Sequence, residues 1–393
     1  MTETVIVSGA RTPFAKLGGA LSTLTAAELG GFALKETMKR GNIDPNEIDH
    51  VLMGTVLQGG QGQLPSRQAL NHANIPWKTE TETINKVCAS GMRSVTLGDL
   101  LVKSGQYATI LAGGMESMSQ APYFMKGARF GFRMGDQAVQ DMMVHDGLTC
   151  TFTGVHMGNY GNQVADELNV SRKAQDEWAL RSHQLAGEAM ENGRFAEEIA
   201  PVSVPQRKGD PMIVSLDEAP RKDTSLDRLS GLKPVFGRDG TITAGNAPGV
   251  NDGAASVLLM SKETAEKRGA EPLATIKAHT SLAVEPENFP KTPGLVIQKL
   301  LKEAGKEISD IDLFEINEAF AAVSLASSKI AGLDDKKINV NGGAVALGHP
   351  IGASGTRIIL TLAMELKRRG GGTGIAAICS GGGQGDAILI EVE

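Results

Sequence analysis

Apolar and polar positions along the chain fall into short continuous apolar runs alternating with stretches whose apolar residues recur at helical spacing. The run from Thr4 to Ser8 predicts a buried strand, followed by Arg11-Thr12-Pro13 and a glycine-rich loop. From Ala26 to Arg40, Leu29, Phe32, Ala33 and Met38 mark one face of a helix, and Gly41 stops it. Ile48 to Gly54 predicts a second strand, and Ser66 to Asn74 a helix that ends before Pro76. Glu82 to Ile84 predicts the end of a strand, residues 90–103 an amphipathic helix running into Gly105, and Thr109 to Gly114 a buried strand ending on paired glycines. Strands alternating with helices indicate a layered α/β architecture.

The C-terminal part repeats this order. Leu273 to Ala278 corresponds to the opening strand, and Thr292-Pro293 to Thr12-Pro13. Gly294 to Ala304 predicts a helix stopped by Gly305, and residues 311–316 a strand. Ala353-Ser354-Gly355-Thr356-Arg357 repeats Ala89-Ser90-Gly91-Met92-Arg93, each followed by a helix, a buried strand and a run of glycines. Two copies of one unit follow, over 1–119 and 270–393, arranged about a pseudo-twofold that brings corresponding glycine-rich turns together. The middle does not repeat. Residues 120–240 are expected to form an inserted subdomain, with a helix over 171–193. Residues 241–269, with strands expected at Thr241 to Gly245 and Ala254 to Met260, return to the N-terminal half.

Composition narrows the classes. At 393 residues, with 41% hydrophobic and 21% charged positions, the chain is of ordinary globular composition and long enough for several cores. A formal net charge of −6 argues against a nucleic-acid or membrane surface. Cys88, Cys150 and Cys379 are far apart and form no CxxC pair, so neither a metal site nor a disulfide framework is signalled. No targeting signal or long apolar run is read in the sequence, and the expected location is the cytoplasm.

Four stretches carry candidate chemistry. In Asn85-Lys86-Val87-Cys88-Ala89-Ser90-Gly91, a cysteine lies at a strand-to-helix junction, where the helix dipole favours a thiolate. The alternative on this stretch alone is an inert buried thiol. Asn317-Glu318-Ala319-Phe320 follows a strand, His349 lies in a glycine-rich loop, and Cys379-Ser380-Gly381-Gly382-Gly383 ends the last predicted strand. The repeat predicts that the turn at 88–91 faces the C-terminal turns, so Cys88, His349 and Cys379 would converge. That set suits covalent acyl transfer: a nucleophile, a base beside it, and a second thiol that moves a proton to and from carbon. Backbone amides at Cys88 and Gly381 would stabilise an oxyanion. Asn317 would hold a water or a carbonyl oxygen, and Glu318 is expected to orient or support rather than act as a base.

These residues resemble the thiolase family along essentially the whole chain. The matching motifs are C-A-S-G at 88–91, G-G-M-E-S-M-S at 113–119, N-E-A-F at 317–320, G-G-A-x-A-L-G-H-P-x-G-x-S-G at 342–355 and C-x-G-G-G-x-G at 379–385. The length and middle segment are similar to the bacterial branch that condenses acetyl-CoA. The resemblance implies a thiolase-type fold: duplicated α/β halves in an α-β-α-β-α arrangement with an inserted loop domain, usually in a homodimer or homotetramer. It implies that Cys88 takes the acyl group, that His349 activates it and shares an oxyanion hole with a water on Asn317, and that Cys379 is the acid/base. The amides of Cys88 and Gly381 would form the other oxyanion hole. For coenzyme A it implies His156 and Met157 on the pantetheine side, Arg221 on the adenine side, Phe236 and Ala244 as apolar walls, and Ala319 and Phe320 along the inner tunnel. Phe289 is expected at the acyl pocket. Pro248 stands where many members have a serine, so one pantetheine contact is lost or replaced. The implied reaction is reversible condensation of two acetyl-CoA to acetoacetyl-CoA and CoA, with no metal or redox cofactor; coenzyme A thioesters are substrates. The rivals are a longer-chain 3-ketoacyl-CoA thiolase, a CoA-thioester-binding protein without turnover, and a cysteine hydrolase.

Overall fold

The computed structural model describes residues 2–393. Its frame is a continuous sheet whose two ends repeat each other. Outward from the middle on one side run Thr4–Arg11, Asn251–Ser261, Thr109–Ser117, His50–Gly54 and Glu80–Ile84. On the other side run Ala274–Ala283, Gln384–Val392, Gly372–Ser380 and Leu313–Ile316, with Ile338 bridging Phe314 where a fifth strand would lie. On both sides the first two pairings are antiparallel and the next is parallel. The halves join through three residue pairs, Thr4 to Ile6 against Ala274 to Ile276. Even the irregularities correspond: register shifts fall between Ile6 and Ser8 in one copy and between Ile276 and Ala278 in the other. The internal repeat in the sequence is therefore a structural repeat.

Helices fill three layers around this sheet. Ser90–Lys103 and Ser354–Arg368 lie between the halves, where Met92, Val95, Ile358, Ile359 and Leu362 share one core with Leu52, Ile110, Val257, Ile388 and Ile390. Ala26–Arg40 and Pro65–His72 cover the outer face of the N-terminal half, and Thr292–Ala304 and Ala321–Ala331 that of the C-terminal half. The five layers follow from the apolar stripes: the central helix Ser354–Arg368 is buried over most of its surface, whereas the outer helices keep polar faces.

The central helices approach closely because each has glycine at its second position. A Cβ on Gly355 would lie 2.3 Å from the backbone nitrogen of Met92, and one on Gly91 would lie 2.8 Å from the carbonyl oxygen of Gly352. Thr356 Oγ1 donates to the Gly91 carbonyl at 2.9 Å and locks the crossing. Only glycine permits this approach.

Helices Ala26–Arg40 and Ser90–Lys103 span the residues expected of them; Thr25 closes a capping box on the first. The expected helix over 171–193 runs from Arg172 to Glu191, capped by Ser171. Thr241 to Gly245 is a correction. It is a turn rather than a strand, because the Asn246 side chain accepts the Thr243 N–H at 2.8 Å and donates to the Thr241 carbonyl and to Asp176. Strand Gln384–Val392 and helices Met157–Glu167 and Ala321–Ala331 were not expected from the pattern.

The middle segment is tied to both halves by buried charge. Arg11 reaches Glu198 at 2.7 Å and Asp217 at 2.7 and 2.9 Å. Glu318 accepts from Trp178 Nε1, Ser182 Oγ, Asn339 Nδ2 and the Val345 amide, the supporting role expected of it. Among the described residues no helix is long and apolar enough to cross a membrane.

Candidate active site

Cys88 sits on a tight elbow between strand Glu80–Ile84 and helix Ser90–Lys103. The residue before it, Val87, has φ of +47°, an unfavourable conformation for a β-branched side chain. Surrounding hydrogen bonds hold it there. Asn85 Oδ1 accepts the Val87 N–H at 3.0 Å, and Ser90 Oγ donates to the Val87 carbonyl at 2.6 Å while accepting from Lys86. From the other half, Ser380 Oγ donates to the Lys86 carbonyl at 2.6 Å and Asp386 pairs with Lys86 at 2.7 Å. Such over-determined strain is characteristic of functional turns. The elbow delivers Cys88 into the interior, 3% exposed, with the backbone N–H groups of Gly381 and Cys88 itself directed at its sulfur.

His349 arrives from the C-terminal half. Its backbone N–H donates to Asn251 Oδ1 at 3.0 Å, and Asn251 in turn donates to the Ala15 carbonyl. Ser354 Oγ donates to the Pro350 carbonyl at 3.0 Å, so its lone pairs face His349 Nδ1 at 2.6 Å. The imidazole is therefore assigned as the Nδ1–H form, with Nε2 unprotonated and accepting a long hydrogen bond of 3.4 Å from Asn317 Nδ2. Asn317 is wholly buried, and its Oδ1 has no hydrogen-bond partner among the described atoms. A buried acceptor in this state suits a bound water or a substrate N–H or O–H group.

Burial controls the proton chemistry. It pushes the Cys88 thiol up to about 12 and raises the Cys379 thiol well above its ordinary value, the latter also through the nearby charge of Cys88. It pushes His349 down to about 3, aided by the positive charge of Arg357. This corrects the thiolate expected at the helix N-terminus: desolvation outweighs the dipole and the amide donors. At rest the site holds two thiols and a neutral imidazole. Glu116 lies behind them, accepting from the amides of Val56, Leu57 and Gly352 and from Thr55, and so fastens the turn around Gly352 to the N-terminal half.

Five of the remaining expected residues line two cavities. One, of about 360 Å³, is lined by Met157, Phe289 and Gly381, together with Val87, Tyr160 and Cys150. The other, of about 290 Å³, is lined by Arg221 and Ala244, with Lys16, His183, Asn251 and Val345. Asn251 ties this second cavity to His349. An apolar seam runs between them. His156 accepts the Gly158 amide at the start of helix Met157–Glu167 and stacks on Phe236 at 4.4 Å, and Phe236 meets Phe320 edge-on at 6.1 Å. Phe320, Ala319, Phe289 and Cys379 belong to one apolar cluster.

Sequence reading missed Ser354, Asn251, Glu116 and Lys16. Ser354 was visible as the counterpart of Ser90 in the repeated A-S-G. In both copies that hydroxyl hydrogen-bonds backbone of the turn before the helix.

Residues 4–263 match the family model described as thiolase, N-terminal domain, and residues 270–392 the one described as thiolase, C-terminal domain. An acetyl-CoA acetyltransferase of Cupriavidus necator is 46% identical over 391 residues, covering all of both chains. A probable acetyl-CoA acyltransferase of Staphylococcus epidermidis is 45% identical, over all of this chain and 99% of its own. The crystal structure of the Bacillus anthracis acetyl-CoA acetyltransferase superposes with a TM-score of 0.97 at 40% identity, covering 100% of this chain and 99% of that one. The chain belongs to the thiolase family and is an acyltransferase.

Proposed function

We propose that the protein is an acetyl-CoA C-acetyltransferase that condenses two acetyl-CoA to acetoacetyl-CoA and CoA, and runs the reverse thiolysis, through an acyl-thioester on Cys88. The observation that carries this reading is the pairing of two buried thiols, one from each half, with the Gly381 amide directed at Cys88, beside a buried histidine that Ser354 holds with its Nε2 unprotonated. All three groups are neutral at rest, so charge is created only in pairs. His349 Nε2 takes the Cys88 proton as sulfur attacks the acetyl carbonyl, and the amides of Cys88 and Gly381 hold the oxyanion. The departing CoA thiolate takes the Cys379 proton, leaving a Cys379 thiolate beside the imidazolium. That thiolate removes an α-proton from the second acetyl-CoA, whose enolate oxygen is held by His349 and by a water on Asn317. The α-carbon then attacks the Cys88 thioester, and Cys88 leaves, recovering its proton from His349. Proton and bond counts close over the cycle.

The cavity carrying Arg221 and Lys16 leads from the surface towards Asn251 and His349 and suits the anionic, extended CoA moiety; neither cation has a salt-bridge partner among the described residues. Ala244 walls that cavity on this reading, while His156, Met157, Phe236, Ala319 and Phe320 supply the apolar surface against pantetheine and the inner tunnel. On this reading residues 120–240 are the CoA-binding insertion between thiolase halves. The acetyl-CoA names of the full-length relatives support the acetyl substrate. A second reading, a 3-ketoacyl-CoA thiolase for longer chains, is favoured by the cavity of about 360 Å³ that Phe289 lines together with Gly381. Thiolysis of four-carbon against longer 3-ketoacyl-CoAs separates the two. The exposed Tyr123, Phe130, Phe132 and Met134 support a homo-oligomer, to be measured by light scattering. Incubation with acetyl-CoA followed by mass spectrometry tests the mechanism: acetyl on Cys88 is expected, and an unmodified Cys88 overturns it.

A further inference from the structure

The repeat creates two related junctions between the halves, and they are tied differently. Strands Thr109–Ser117 and Gly372–Ser380 hold the same place in each half, so Glu116 corresponds to Cys379 and Ser117 to Ser380. Gly352 and Cys88, each just before an A-S-G, correspond as well. At one junction the tie runs through an amide: the Gly352 N–H donates to Glu116 Oε2 at 2.9 Å. At the other, the thiol of Cys379 stands in the place of that carboxylate, and the amides of Cys88 and Gly381 point at the Cys88 sulfur. The tie there falls two residues earlier in the chain. Ser380 Oγ donates to the Lys86 carbonyl at 2.6 Å, and Lys86 Nζ reaches Asp386 Oδ1 at 2.7 Å. Ser380 is fully buried, and the other oxygen of Asp386 has no partner. Among the described residues no backbone–backbone hydrogen bond joins 85–88 to 379–386, so these side chains carry the tie. The turns they hold are in close contact, since a Cβ on Gly381 would lie 3.3 Å from Val87 Cγ1. The bridge is not inherited from the repeat, because the Ser117 hydroxyl donates to Leu24 inside its own half.

We propose that Ser380 is a positioning residue for acyl transfer: its hydroxyl, backed by the Lys86–Asp386 pair, sets the separation of the Cys88 and Gly381 amides, two oxyanion donors that belong to opposite halves. Tying the junction through the Lys86 carbonyl leaves both N–H groups to the substrate oxygen, where a carboxylate in the place of Cys379 would take up one of them. Such donors act over a narrow range of distance, so a hydroxyl that fixes their spacing acts on the transition state rather than on substrate binding. The proposal rests on the acyl-transfer reading for the role of the two amides.

The test compares two reactions of Cys88 in the full chain and in S380A, S380T and D386A. One is acetylation by acetyl-CoA, followed by rapid quenching and mass spectrometry; the other is alkylation by iodoacetamide, which forms no oxyanion. S380A should acetylate about 10–100-fold more slowly at saturating acetyl-CoA, with the half-saturating concentration unchanged and alkylation close to wild type. S380T restores the hydroxyl and should recover most of the acetylation rate. D386A should show the same selective loss to a smaller extent, and carries the test if the serine variants do not fold. Acetylation of S380A at the wild-type rate overturns the proposal. So does an equal loss of alkylation, which would mark a general loosening of the elbow. A wild type that takes no acetyl overturns the Cys88 reading itself, whereas an acetylated wild type beside an unaffected S380A overturns this proposal alone.

Discussion

At the scale of single residues, the site works through neutral groups in a dry interior, and this separates the two cysteines by experiment. Cys379→Ser should still acquire acetyl on Cys88, because the His349 imidazolium formed in the attack can protonate the departing CoA in place of Cys379, yet lose condensation by on the order of 10²–10⁴. Labelling and turnover measured on the same preparation check it; equal losses in both would make the Cys379 proton indispensable to the first half-reaction. Ser354→Ala removes the acceptor that fixes the His349 tautomer. We expect kcat/KM to fall by roughly 10-fold or more, with cooperative unfolding retained. Cys88, His349 and Cys379 were legible in the sequence because each sits in a glycine-rich turn at a predicted strand or helix end. Their protonation was not, because a local pattern carries the helix dipole but not the depth of burial that overrides it. Asn251 and Glu116 were invisible for a related reason: each acts on a turn from the opposite half of the repeat.

At the scale of elements, the close crossing of the central helices sets what the sequence tolerates. Gly355→Ala would place a methyl 2.3 Å from backbone that cannot rotate away. It should destabilise by at least about 1–3 kcal/mol, read as a lower urea midpoint, with catalytic loss following from displacement of Ser354 and His349. Ala substitution at Gly187, a buried position of helix Arg172–Glu191 where an added methyl meets nothing within 4 Å, is the control and should be neutral or stabilising. Helices with clear periodicity and a glycine stop, such as Ala26–Arg40, could be read directly. Thr241 to Gly245 could not, since its apolar run is overruled by one side chain, Asn246, that satisfies the backbone as a turn.

At the scale of the whole molecule, buried charge and buried histidine govern the response to pH. His349 and His183 are pushed down to about 3 and about 4 from an ordinary 6.5. The unfolded chain therefore binds more protons below pH 6.5, and stability is lost as pH falls through that range. Each contributes on the order of 2 kcal/mol of this loss between pH 6.5 and 5. Urea unfolding at pH 7 and pH 5 should show it, and His183→Gln should lessen the difference. The Arg11 tie between the first strand and the insertion gives a separate effect. Arg11→Met strands Glu198 and Asp217 in the interior and should destabilise by about 3–5 kcal/mol.

The sheet joins strands from opposite ends of the chain, and the site is completed only where its halves meet. During synthesis, therefore, the Cys88 elbow leaves the ribosome long before its cover exists. At 5–20 residues per second, on the order of 15–60 s separate Cys88 from Gly381. For that interval the nucleophile lacks the burial that holds its thiol near 12 in the finished fold. The nascent chain is the form of this protein most open to electrophiles and oxidants, and the C-terminal half acts as a cap that ends the exposure.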